Sequence, residues 1–138
     1  MRHLKRGRKL NRTSSHRSAL LSNLAANFVI NKHIITTEPK AKELRSFAER
    51  LVTYAKKNSL HGRRLILKNI KGRNSKKIAD ILIHDVAPNY TDRNGGYTRI
   101  IKLDNRKNDN AKMCIIEFVN LKNIDGEDST EEKQEKTE

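Results

Sequence analysis

The sequence has no tryptophan, one cysteine, three tyrosines and three phenylalanines in 138 residues. The lone Cys114 excludes an internal disulfide and any zinc site built on a cysteine pair, and it fits a reducing compartment. No apolar run approaches the roughly 18 residues that a membrane-crossing helix requires, so a membrane is not an expected partner. Scarce aromatics bear on nucleic acid too. An RNA-recognition sheet needs several exposed rings on its strands, and only Tyr97 and Phe118 fall on strand-like segments. The nucleotide-binding pattern G-x-x-x-x-G-K-[ST] and the metalloprotease pattern H-E-x-x-H are both missing. No acidic residue precedes Glu38.

What is present is positive charge. Thirty Lys and Arg stand against sixteen Asp and Glu, a formal net charge of +14. The imbalance is uneven, because Asp125, Glu127, Asp128, Glu131, Glu132, Glu135 and Glu138 crowd the last positions against Lys122, Lys133 and Lys136. Everything before them is therefore more basic than the total suggests, and a polyanion is the expected partner. Three regions follow from this: a basic arm, 1–12; a globular domain, 13–121; and an acidic tail, 122–138, whose final stretch has no apolar residue and reads as disordered.

The middle region carries the periodicities of a folded body. Thr13 and Ser14 are N-cap types, and Leu20, Leu21, Leu24, Ala25, Phe28 and Val29 form one stripe of a helix over 14–31. The β-branched run 34–37 reads as a strand. Pro39 opens a second helix whose inward positions are Ala41, Leu44, Ala48, Leu51, Val52 and Ala55, with Phe47 at the margin. Ser59 caps a third helix, ended by Gly72; Asn74 or Ser75 caps a fourth, with Ile78, Ile81, Leu82 and Val86 inward, stopping before Pro88. A strand over 97–103 places Tyr97, Arg99, Ile101 and Leu103 on one face. After the polar loop 104–111 comes a last strand, with Cys114, Ile116 and Phe118 on one side and Met113, Ile115, Glu117 and Val119 on the other. The order α-β-α-α-α-β-β predicts an α+β fold of two layers, helices against one small sheet, with an extended basic arm before it.

Constellations for catalysis are weak. His3, His16, His33, His61 and His84 never share a helix face at ligand spacing, so no metal and no cofactor are expected. Asp80 with Asp85, and Asp104 with Asp109, are too few carboxylates for a two-metal site and read as surface charge. Cys114 on a strand reads as a small buried hydrophobe. No enzyme and no small-molecule substrate follow from this.

Nucleic acid is the better reading. Arg2, His3, Lys5, Arg6, Arg8, Lys9, Asn11, Arg12, His16 and Arg17 supply cations and small donors that can lie along a phosphate backbone. They run into a helix N-terminus where Thr13, Ser14 and Ser15 add donors. A transit peptide is the alternative for an Arg- and Ser-rich, acid-poor start. Lys40, Lys42 and Arg45 extend the basic surface onto the second helix. The loop holding Arg93, Gly95, Gly96, Tyr97 and Arg99 offers another contact, the glycines admitting close approach of the main chain to a phosphate. A helix-turn-helix fits poorly, because Asp80 and Asp85 follow Lys76 and Lys77 on the candidate recognition helix. The pattern suits backbone recognition of a large folded RNA, with a general nucleoid-type protein as the alternative.

Met1-Arg2-His3, Gly7 to Arg17 (GRKLNRTSSHR), Lys40 to Arg45 (KAKELR), Gly95 to Ile100 (GGYTRI) and Asp109-Asn110-Ala111 occur in that order. Together they resemble the bacterial-type large-ribosomal-subunit protein seventeen family, from Met1 to about Leu121. The resemblance implies a structural constituent of the large ribosomal subunit in the cytoplasm. It implies binding to large-subunit rRNA near the outer end of the polypeptide exit tunnel, with neighbouring large-subunit proteins as further partners. It implies a two-layer α/β body, and an arm retained rather than cleaved. The chain departs from the family in the loop Asn105-Arg106-Lys107-Asn108, usually more basic or glycine-containing, and in the acidic tail.

Overall fold

In the computed structural model, residues 7–121 are described; residues 1–6 and 122–138 lie outside them, and with them Arg2, His3, Lys5, Arg6 and the acidic tail. The first helix, α1, runs Ser14–Asn31 and ends where Lys32 takes a left-handed conformation, φ 64°. Its buried residues are Ser22, Ala25, Phe28 and Val29. The expected stripe is thus correct at its second half. In the first half Leu20, Leu21 and Leu24 are only half-buried, and a serine takes the inward place.

Strand β1, His33–Thr37, leads directly into helix α2, Glu38–Lys56. Every inward position expected of α2 is buried, and Phe47 is half-buried at the margin. Removing Leu44, Leu51 and Val52 from water stabilises the fold by roughly 1.5–3 kcal/mol each, which makes α2 the spine of the core. Helix α3, Leu60–Asn69, begins where the Ser59 hydroxyl accepts the Gly62 amide at 3.1 Å. Helix α4, Ser75–Ile81, starts after Asn74.

The end of α4 differs from expectation. The chain continues as a π-helical turn, Leu82–Val86, and a 3-10 turn, Ala87–Tyr90, that includes Pro88. Proline is tolerated there because it falls in the first residues of the new turn, where its missing N–H has no partner to lose. Continuing this far carries Tyr90 into the core, where its hydroxyl donates to the Val119 carbonyl at 2.7 Å.

Strands β2, Thr98–Lys102, and β3, Met113–Phe118, complete an antiparallel sheet in the order β1-β3-β2. Ile34, Ile116 and Ile100 align across the inner face, with Cys114 and Phe118 buried beside them. Helix α2 packs across all three strands, so the architecture is the expected α+β pair of layers. Phe28 of α1 stacks on Phe118 with ring centroids 4.2 Å apart, joining the two layers. The outer face bears His33, Glu117 and Arg99 in one row and Ile35, Ile115 and Ile101 in the next.

β2 begins one residue later than expected, and Tyr97 leaves the face of Arg99 and Ile101. Gly96 before it has φ 61°, a turn that rotates the chain and sends the Tyr97 ring inward. It lies 3% exposed against Tyr90, 5.2 Å between centroids.

Candidate nucleic-acid interface

The described part of the arm is not loose. Leu10 and Asn11 have φ of 55° and 50°, forming a turn closed by the Arg12 amide on the Lys9 carbonyl at 3.1 Å. Arg17, one turn inside α1, donates to the Arg12 carbonyl at 3.2 Å and to the Lys9 carbonyl at 3.5 Å. Arg8 reaches Glu43 of α2 at 3.9 Å. Side chains Arg8, Lys9, Asn11, Arg12, Thr13, Ser14, Ser15 and His16 are all exposed. Thr13 makes no side-chain cap, and its hydroxyl lies 3.4 Å from that of Ser15. The amides at the start of α1 therefore lack the usual side-chain acceptor, beside four cations and a histidine.

Glu43 sits in the first half of α2, so the arm and the α2 cations share one region. Lys40 is half-buried; Lys42 and Arg45 are exposed. Both exposed cations are already paired along the helix, Lys42 with Glu38 at 2.6 Å and Arg45 with Glu49 at 3.5 Å. The bond from Lys42 holds the Glu38 carboxyl below its ordinary range. Such exposed pairs contribute little to stability.

The glycine loop lies elsewhere. Lys56, at the far end of α2, donates to the Arg93 carbonyl at 2.5 Å and to the Tyr97 hydroxyl at 3.4 Å. From Glu43 to Lys56 the helix rises about 20 Å, so the arm and the loop lie at two separate places along α2. In the loop the Arg93 Nε donates to the Gly95 carbonyl at 3.2 Å. Gly95 has φ 152°, and nothing lies within 4 Å of where a Cβ would stand on it or on Gly96, so main chain is presented openly there. Arg99 points from the outer sheet face and forms a two-nitrogen contact with one Glu117 oxygen, at 2.9 and 2.6 Å. Tyr97 does not join this group. Its buried ring offers no face to a base, and its contribution is to hold the loop onto the end of α2.

Three chemistry-bearing groups outside these regions are held by neighbours. Asp80 is bound by Arg63, which lowers its pKa. Asp109 is gripped by Arg106, and its carboxyl falls to about 2. Cys114 is buried with Sγ 3.5 Å from the Thr36 carbonyl, and burial pushes the thiol up, away from nucleophilic character. Among the described residues no three His, Cys, Asp or Glu side chains converge as a metal site, and no helix is long and apolar enough to cross a membrane.

Known proteins resemble this chain over most of its length. A family model described as ribosomal protein L17 matches residues 20–119, which is most of the globular body. The large ribosomal subunit protein bL17 of Methylacidiphilum infernorum is 52% identical over 118 residues, covering 86% of this chain and 88% of that protein. The protein of the same name from Allorhizobium ampelinum is 48% identical over 120 residues, covering 86% of this chain and 82% of its own.

Proposed function

The chain belongs to the ribosomal protein L17 family, and from that membership we propose that it is a structural constituent of the large ribosomal subunit, supporting translation in the cytoplasm. Its role is to bind and stabilise large-subunit rRNA, near the outer end of the polypeptide exit tunnel, among neighbouring large-subunit proteins. The observation that carries this is identity of about half over most of the chain to proteins named for that subunit. The charge supports RNA as the direct partner, since a chain of net charge +14 with an acid-free start needs a polyanion to neutralise it.

The mechanism is electrostatic and geometric, without chemistry on the RNA. The arm, 1–12, lies along phosphates, the uncapped start of α1 adds amide donors, and the loop at Gly95-Gly96 makes a second main-chain approach about 20 Å away along α2. The body fixes the spacing of the two contacts.

Sedimentation of a lysate tests the assignment: the protein travels with the large subunit and resists moderate salt. Recovery only in free or DNA-bound fractions overturns it. Binding to rRNA and to duplex DNA of equal length, in competition near physiological salt, separates rRNA recognition from a general nucleic-acid binder. Deleting residues 2–12 weakens rRNA binding while thermal unfolding of the body changes little. If about six arm cations meet phosphates, the deletion also flattens the salt dependence of log K by roughly 4 to 5.

A further inference from the structure

The chain has a second acid-free run. Between Glu49 and Asp80 there is no Asp or Glu, and ten Lys and Arg occur. Arg63 is paired with Asp80, and Lys56 is spent on the Arg93 carbonyl and the Tyr97 ring. Six of the remaining cations gather at one corner. Arg64 and Lys68 lie one turn apart on the exposed side of α3; Lys71 and Arg73 occupy the α3–α4 turn; Lys76 and Lys77 are in the first turn of α4. All six are exposed, and among the described residues none has an ion-pair partner.

That corner is fixed beside α1. The Ser22 hydroxyl accepts the Lys71 amide at 2.8 Å, and α4 packs on α1. Ser22 is about 12 Å along the helix from the start of α1, where the arm enters. The fold thus brings the two acid-free runs of the chain together on neighbouring elements. By contrast, Arg8, Lys42, Arg45 and Arg99 already face carboxylates. Asp80, which interrupts the basic pattern of α4 in sequence, is neutralised by Arg63 from α3.

We infer that the α3–α4 corner, Arg64, Lys68, Lys71, Arg73, Lys76 and Lys77, is a further phosphate-contact surface for folded RNA, continuous with the arm. The inference rests on the rRNA-binding reading. Like charges gathered on one corner repel one another when unpaired, and a backbone carrying one negative charge per nucleotide relieves that repulsion. Helices held at a fixed spacing meet only RNA whose phosphates follow the same path, so the corner adds register as well as affinity.

The test uses full-length protein, protein-free large-subunit rRNA as probe, and affinity measured across a salt series. The variant Lys68→Gln, Lys71→Gln, Lys76→Gln, Lys77→Gln is compared with the same four positions changed to Arg and with the arm deletion. Gln retains helix propensity at the exposed helical sites, and thermal unfolding checks that the body is intact. The expected result is a salt slope flattened by about 3 in the Gln variant, an affinity lowered at least tenfold near 0.1 M salt, and wild-type behaviour in the Arg variant. An unchanged slope in the Gln variant, with the arm deletion still weakening binding, overturns the corner assignment and leaves the RNA reading standing. Absence of salt-dependent rRNA binding by the unmodified chain overturns the reading beneath it. Tighter RNA binding by the Gln variant would also overturn the assignment.

Discussion

Ser22 Oγ lies 2.8 Å from the amide nitrogen of Lys71 and accepts its proton, a bond between the middle of α1 and the turn after α3. Ser22 is 1% exposed, inside a stripe of otherwise apolar residues. A hydroxyl is stable there because the turn supplies a backbone donor, and the turn is held because the helix supplies an acceptor.

Ser22→Ala removes that acceptor and leaves the Lys71 amide to water. The expected cost is about 1 kcal/mol of stability, with faster hydrogen exchange at the Lys71 amide. Unchanged exchange there would show that the turn is held by other means.

Gly62→Ala is expected to be among the most damaging single-methyl additions. A Cβ at Gly62 would stand 2.4 Å from the Tyr54 carbonyl oxygen of α2, which is backbone and cannot rotate aside. The helices must separate, at a cost of about 2 kcal/mol or more, and the midpoint of thermal unfolding should drop by roughly 6–12 °C.

Tyr90 links stability to alkaline pH. Burial raises its phenol to about 12 from an ordinary 10. The neutral form is the one the fold favours, so its contribution is intact below pH 10 and is lost as pH rises toward 12. Ultraviolet titration should find one of the three tyrosines ionising near 12 or only on unfolding. Tyr90→Phe, which leaves the Val119 carbonyl without its donor, should cost about 1–2 kcal/mol.

Asp109 gives the opposite sign. Its carboxyl is depressed to about 2, first by the Arg106 side chain. The clasp it forms in the loop after β2 is present above the ordinary carboxylate range and is lost as pH falls through about 2. Carboxyl NMR should show that low midpoint, and Arg106→Ala should return it toward 3.8, the ordinary value.

Helix α2 was legible in sequence because its period is uninterrupted: Ala41, Leu44, Ala48, Leu51, Val52 and Ala55 all point inward. The alternation of β3 was equally clear, with Cys114, Ile116 and Phe118 on the buried side. Tyr97 was not, since period-2 counting assumes extended backbone and a left-handed Gly96 rotates the chain just before it. Ser22 was hidden because its burial depends on a main-chain group nearly fifty positions later. The path through Pro88 was hidden because a helix that changes pitch keeps no single period.

For the interface, sequence identified the residue types and missed their sorting. The charges of Lys42, Arg45 and Arg99 stand out in a string of letters, but the carboxylates beside them in space do not all stand beside them in sequence: Arg99 and Glu117 meet only across two strands. The run from 50 to 79 is visible to anyone counting acids. That it folds back against α1 is not.

The sheet order has a bearing on how the chain is made. The central strand is the last of the three to be synthesised, and neither β1 nor β2 has an antiparallel neighbour until it emerges. Each newly made copy must therefore carry its cation-rich opening segment through most of translation with its sheet still unpaired, a period in which premature capture by stray polyanions or aggregation competes with folding. Timing, as much as affinity, then governs how many molecules reach an assembling particle intact.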